Sequence, residues 1–289
     1  MQGRGRTFAN TGDMRILVCN DDGIYSPGIA ALADVAAAFG TVRIVAPHVE
    51  QSSMGHAITA GRPLSFRATP VVGPEAYRVN GTPADCVSLG AFKWDKVDLV
   101  LSGCNLGFNL GNSIWHSGTL AGAKQAALLG LRGTAFSAPA GLEDFSSLKP
   151  WIHRVLHTLI DAHELNLVNV NLPREPRGLI WTRVSVRQYD GVIVPTRDPL
   201  GRELYWSSVT PLEGAEDGTD RWAIEQNWIS MTPLCLDLTD HKLLERCRDQ
   251  RPLDEGLAAK VSPPRSSPAA AKKVQEEEAA PVLGAPIAQ

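Results

Sequence analysis

Apolar positions fall in short, nearly continuous runs rather than in an alternating pattern. They are RILVC at Arg15–Cys19, VRIVA at 42–46, VDLVLSG at 97–103, TAFS at 134–137 and LVNVN at Leu167–Asn171. Such runs predict strands buried on both faces. Between them lie helical stretches at 27–39, from 83 to about 90, at 118–129 and at about 151–163. Ser26 suits an N-cap, Pro27 the first helical position and Gly40 the stop, and Thr82-Pro83 opens the second helix in the same way. Strands alternating with helices imply right-handed crossovers. The pattern therefore predicts an α/β fold, a doubly wound, Rossmann-like and mostly parallel sheet.

After Pro173 the texture changes. WTRVSV, ELYWSSV and WISMTPL are strand-like pieces separated by Gly, Pro and Asp, and they predict a β-rich arm over about 180–232. A closing helix is expected at 239–249, capped by Thr239. Residues 1–13 and 251–289 are polar or rich in Pro, Ala and clustered charge, which predicts disorder at both ends of a 14–250 domain. Met14, directly before the first strand, makes the preceding residues look dispensable. The aromatic residues of the arm, Trp181, Tyr205, Trp206 and Trp228, cannot easily be buried on an isolated hairpin, so a homodimer or homotetramer is expected.

Composition narrows the partners. Hydrophobic residues make up 44% of the chain and charged residues 20%, with a net charge of -3. No global positive field exists to hold a nucleic-acid polymer, so a nucleotide would be a small ligand. The five cysteines form no C-x-x-C pair, and no apolar run reaches membrane-spanning length. The expectation is a cytoplasmic protein with no membrane partner.

Chemistry concentrates at strand ends. Asn20-Asp21-Asp22-Gly23 follows the first strand directly, where open α/β sheets bind ligands. Two carboxylates about 4 Å apart repel by roughly 4 kcal/mol at an effective dielectric of 20. A divalent cation removes that repulsion, and hard oxygen donors suit Mg²⁺ or Mn²⁺; the same tetrapeptide could also serve only to shape a turn. Further along, APHVEQSSMGHAIT and SGCNLGFNLGNSIWHSGTLAGA are rich in Gly, Asn and hydroxyl residues. Ser117-Gly118-Thr119 opens a helix, a favoured position for a phosphate. His56 and His116 lie in these loops as candidate donors to phosphate or to a leaving group. The first strand–helix turn lacks G-x-G-x-x-G, and neither a Walker A sequence nor a G-x-S-x-G elbow is present.

Five stretches, ILVCNDDGIYSPGI, VAPHVEQSSMGHAIT, VNGTPADCV, LVLSGCNLGFNLGNSIWHSGT and RDPLGRELYW, resemble the SurE family of survival-protein 5'/3'-nucleotidases. The resemblance implies hydrolysis of nucleoside monophosphates by an enzyme with one divalent metal ion per subunit. It carries the metal ligands onto Asp21, Asp22, Ser52 and Asn105; Asp21 and Asp22 are also the candidate catalytic residues, with base, nucleophile or holder of a metal-activated water all open. Phosphate contacts fall on Asn109, Ser117, Gly118 and Thr119, and exchange of C-terminal β segments between subunits is implied. A nucleotide sensor without turnover is the alternative on the same fold; loss of a ligand would mark it, and all four are present. Three positions depart from the family pattern: Gln125, often acidic; Asn227-Trp228, usually Gly-Tyr; and Arg187-Gln188, usually a doubled arginine.

Overall fold

The computed structural model describes residues 14–186 and 189–250. The expected disordered ends, and Arg187-Gln188, lie outside these residues. In chain order the elements are β1 (Arg15–Cys19), α1 (Pro27–Ala36), β2 (Thr41–Pro47), β3 (Phe66–Ala68), β4 (Glu75–Val79), α2 (Pro83–Lys93) and β5 (Leu99–Leu106). Then come α3 (Gly118–Leu128), β6 (Arg132–Ala138), α4 (Lys149–Ile160), β7 (Leu167–Asn171), β8 (Gly178–Trp181), β9 (Tyr189–Arg197), β10 (Glu203–Pro211), α5 (Asp220–Glu225), β11 (Trp228–Pro233) and α6 (His241–Gln250).

Within the described residues a nine-stranded sheet runs β3-β4-β2-β1-β5-β6-β7-β11-β8. Neighbours from β4 through β7 are parallel, whereas β3 on β4 and β11 on β7 are antiparallel. The predicted fold class is the observed one. The chain winds outward from β1 to β2 and β4, then returns to β5 and winds the other way. The topological switch therefore lies between β1 and β5.

Successive residues of β1 enter opposite layers. Ile16 and Val18 join a core with Ile29, Leu32, Ile152 and Val155, under α1 and α4. Leu17 and Cys19 join one with Val45, Cys86, Val87 and Val100. Close helix–sheet packing is steric at Gly28, where a Cβ would lie 1.9 Å from the Cys104 carbonyl oxygen.

Differences from the sequence expectation cluster after Pro173. WISMTPL is β11, paired with β7 and β8 inside the main sheet. Its residues Ile229 to Thr232 are all buried, because both faces of the sheet are covered there. WTRVSV is strand only at its first residue, where β8 ends. The segment standing apart is thus the β9–β10 hairpin, a two-stranded sheet of its own. Helix α1 stops at Ala36, three residues early, and β3, β4 and α5 had no periodic signal of sufficient length. Residues 238–250 belong to a separate compact unit, in which Asp240 rather than Thr239 caps α6, accepting from the Leu243 N–H at 2.8 Å.

The start of α2 also fastens a loop. Thr82 and Asp85 form a reciprocal capping box, with Asp85 Oδ2 accepting from the Thr82 N–H at 2.9 Å. The same carboxylate accepts the Thr59 N–H at 2.9 Å and the Thr59 hydroxyl at 2.6 Å. Burial pushes the Asp85 carboxyl up, but the Thr59 and Thr82 hydrogen bonds outweigh it and hold the group below its ordinary 3.8. A lowered native value means that the carboxylate stabilises the fold above that pH and loses the contribution as pH falls through the native value. Asp85→Asn should cost about 1–3 kcal/mol at pH 7. Urea denaturation should show the gap from wild type closing as the pH is taken below 3.8.

Candidate active site

At the switch point a cleft of about 740 Å³ opens across the carboxyl ends of β1, β2 and β5. Asp21, Asp22, Ser52, Asn105, Asn109 and Ser117, separated by up to 96 residues in sequence, all line it. The turn after β1 is set by Asn20, whose Nδ2 donates to the Gly23 carbonyl at 2.9 Å. Asp21 is only 4% exposed, and its Oδ1 accepts the Thr119 hydroxyl at 2.6 Å. The Asp21 carbonyl accepts the Gln51 N–H at 2.8 Å, tying the β2 loop to the same turn. Asp22 Oδ2 accepts the Leu106 N–H at 3.3 Å.

Gly118 is required by this close assembly. A Cβ there would lie 2.8 Å from the Asp21 Cβ, so the start of α3 can approach β1 only without a side chain. Thr119 is fully buried and directs its hydroxyl to Asp21, outside the cleft lining. The role this geometry supports for Thr119 is orienting the aspartate. Ser117, the N-cap of α3, does reach the cleft while its Oγ accepts the Leu120 N–H at 3.0 Å.

Electrostatics follow from burial. Desolvation lifts the Asp21 carboxyl above its ordinary 3.8, against the pull of the Thr119 hydrogen bond. Burial first, and then the charge of Asp21, push Asp22 up to about 6. Glu50 adds a third carboxylate to the lining, which contains neither lysine nor arginine among the described residues. Ser52 donates to Glu50 Oε1 at 2.7 Å, and Asn105 Nδ2 donates to the Gly107 carbonyl at 2.7 Å, which leaves Asn105 Oδ1 as an acceptor. No three His, Cys, Asp or Glu side chains converge as a metal site among the described residues. The donor set in the cleft is instead a mixture of carboxylate, hydroxyl and amide.

Sequence reasoning missed what holds Asn109. Its N–H donates to Asn171 Oδ1 at 2.9 Å, and its carbonyl accepts from Asn169 Nδ2 at 2.8 Å and Asn171 Nδ2 at 3.1 Å. Its own Nδ2 donates to the Ser137 hydroxyl at 2.8 Å. The signal was present as N-V-N, two amides on one face of an otherwise apolar buried strand. His116 lines the cleft, whereas His56 is not among the lining residues and its Nε2 lies 2.8 Å from Gln125 Oε1. At Asn227, where the SurE pattern has glycine, φ is 57°, a left-handed conformation that Asn tolerates better than most residues.

Fold and cleft together define an open α/β protein whose ligand site, at the topological switch, is made of acids, amides and hydroxyls. The family profile described as survival protein SurE matches residues 16–191, and the chain belongs to the SurE family. The 5'-nucleotidase SurE 1 of Thermus thermophilus is 46% identical over 240 residues, spanning 80% of this chain and 96% of its own. The 5'-nucleotidase SurE of Deinococcus radiodurans is 42% identical over 241 residues, 80% and 90% of the two chains. The crystal structure of the SurE protein from Aquifex aeolicus superposes with a TM-score of 0.71 at 38% identity, covering 81% of this chain and 98% of that one.

The contact between Gly118 and Asp21 is open to test. Gly118→Ala should lower stability by about 1–3 kcal/mol through overpacking, measured by urea denaturation. An unchanged midpoint would show that α3 and β1 separate at little cost.

Proposed function

We propose that this cleft hydrolyses nucleoside monophosphates to nucleoside and phosphate with the help of one divalent cation, Mg²⁺ or Mn²⁺, per subunit. The observation that carries the reading is the charge of the lining. Asp21, Asp22 and Glu50 face the cleft without a lysine or arginine beside them, so a phosphate dianion would be repelled unless a cation entered with it. Asp21, Asp22, Ser52 and Asn105 fit that cation, because they offer hard oxygen donors and two carboxylates whose burial makes their charge costly. When bound, the cation would supply Lewis-acid stabilisation and a more acidic bound water. The relatives named 5'-nucleotidase SurE support the nucleotide as substrate.

The protein's own groups divide the remaining work. Thr119 orients the Asp21 carboxylate, and the Leu106 N–H does the same for Asp22. Asn109 and Ser117 hold the phosphate oxygens from the side of α3, with the Gly118 backbone beside them. His116, in the lining, is the candidate donor of a proton to the departing alkoxide in this reading.

Assembly belongs to the same reading. On the β9–β10 hairpin Ile193 is 64% exposed, Tyr205 64% and Trp206 67%, an apolar area that an isolated hairpin cannot bury on itself. A second copy of the chain, exchanging hairpins in a homodimer or dimer of dimers, would cover them. The buried free cysteines Cys19, Cys86 and Cys104 suit a reducing cytoplasm. No helix among the described residues is long and apolar enough to cross a membrane.

Asp22→Asn should cut phosphate release from AMP by roughly two orders of magnitude or more while the protein stays folded. Near wild-type turnover with unchanged sensitivity to a chelator would remove the central claim. Light scattering at micromolar protein should find a dimer or larger species; a stable, fully active monomer would dismiss the exchanged hairpin.

A further inference from the structure

Asp220 is fully buried at the first position of α5, far in sequence from every residue of the cleft. Its two oxygens serve different parts of the molecule. Oδ2 accepts the Gly111 N–H at 2.9 Å, across 109 residues of chain. Oδ1 accepts the Ser185 N–H at 2.9 Å and the Arg221 N–H at 2.8 Å. Ser185 belongs to the strand of chain that enters the β9–β10 hairpin, and Asp220 to the one that returns from it. Backbone bonds join the two, from Arg183 N–H to the Gly218 carbonyl at 3.1 Å and from Asp220 N–H to the Arg183 carbonyl at 2.9 Å. Asp220 therefore sits in the root of the hairpin.

Gly111 begins the 3₁₀ turn Gly111–Trp115, directly between two cleft residues, Asn109 and Ser117. The turn delivers Ser113, His116 and Ser117 to the lining. Asn169 and Asn171 fix the loop at Asn109; the next hold along the chain is the Asp220 carboxylate at Gly111. Hydrogen bonds to a charged acceptor are roughly twice as strong as neutral ones. A buried carboxylate also costs several kcal/mol unless such donors satisfy it, so Gly111 and Ser185 are held together by one group that neither can release cheaply.

We infer that Asp220 is a positioning residue that sets the 109–117 loop for phosphate from the root of the hairpin. This rests on the reading of that loop as the phosphate-holding side of the cleft. It makes the attachment of the hairpin and the geometry of the site parts of one hydrogen-bonded unit, although the hairpin's strands do not line the cleft.

The test is Asp220→Asn in the full chain, which keeps the shape but turns an NH₂ group toward one of the N–H donors. Three quantities are read: KM for AMP, the dissociation constant of inorganic phosphate measured by calorimetry with Mg²⁺ present, and amide exchange across 109–117. KM and the phosphate constant should both rise about fivefold or more, the equivalent of one lost hydrogen bond of about 1 kcal/mol. Exchange in 109–117 should quicken while β1 stays as in wild type. A folded variant with a lowered melting temperature but unchanged phosphate constant and loop exchange would assign Asp220 a structural role only, and overturn the inference. If the variant does not fold, the wild-type Gly111 amide decides: protection comparable with the β1 amides supports the inference, and free exchange overturns it. Should the wild type release no phosphate from any nucleotide, the proposed function fails separately, because phosphate binding and exchange are still read.

Discussion

Two adjacent carboxylates stand at the end of the central strand, and Asp21 is almost wholly removed from water. Charge in that position is expensive, and much of the surrounding structure acts to limit or use the expense. The hydroxyl of Thr119 is given to Asp21, and the Leu106 N–H is given to Asp22. The β2 loop is drawn in through Gln51, and α3 comes so close that only glycine fits at position 118. Those contacts carry four separate segments of chain to one point. They also leave the cleft too negative for an anionic ligand by itself, which is why a cation enters the proposed chemistry.

Rigidity is distributed unevenly around that point. The acids stand on the middle of a parallel sheet, between two hydrophobic layers, where the backbone has little freedom. Opposite them lies a loop, 109–117, that is held mainly by side chains, with one backbone bond from the Gly55 N–H to the His116 carbonyl at 3.0 Å. Three asparagines, a serine and an aspartate do for this loop what ladder hydrogen bonds do for a strand. Side-chain anchors of this kind permit a backbone path that no regular element offers, here one that turns Asn109 and Ser117 toward the acids.

The hairpin presents a different balance. Its backbone pairing is complete from Tyr189 opposite Pro211 to Arg197 opposite Glu203, yet large apolar side chains on it remain in contact with water. The proposed exchange between copies would give those side chains a surface to bury against. The root of the hairpin, in contrast, is fastened firmly to the body through Asp220.

The sequence by itself determined the parallel core and where the acidic cleft lies. Nearly continuous apolar runs such as RILVC and VRIVA can be stable only where both faces are covered, and Asp21-Asp22 comes at the end of the first of them. Ser26, Thr82 and Ser117 likewise announced their helices, because capping is a local interaction between residues close in the chain. What only the tertiary structure decided depends on pairing between distant segments. β11 reads like a member of the arm, yet it completes the main sheet, since the choice of neighbour lies with β7 and β8 rather than with its own residues. Thr119 reads like a phosphate contact until α3 is seen packed against β1, where its hydroxyl donates to Asp21. Asp220 was an ordinary polar residue in the sequence, and the N-V-N pair said that Asn171 was buried but not what it held; their partners are backbone groups 109 and 62 residues away.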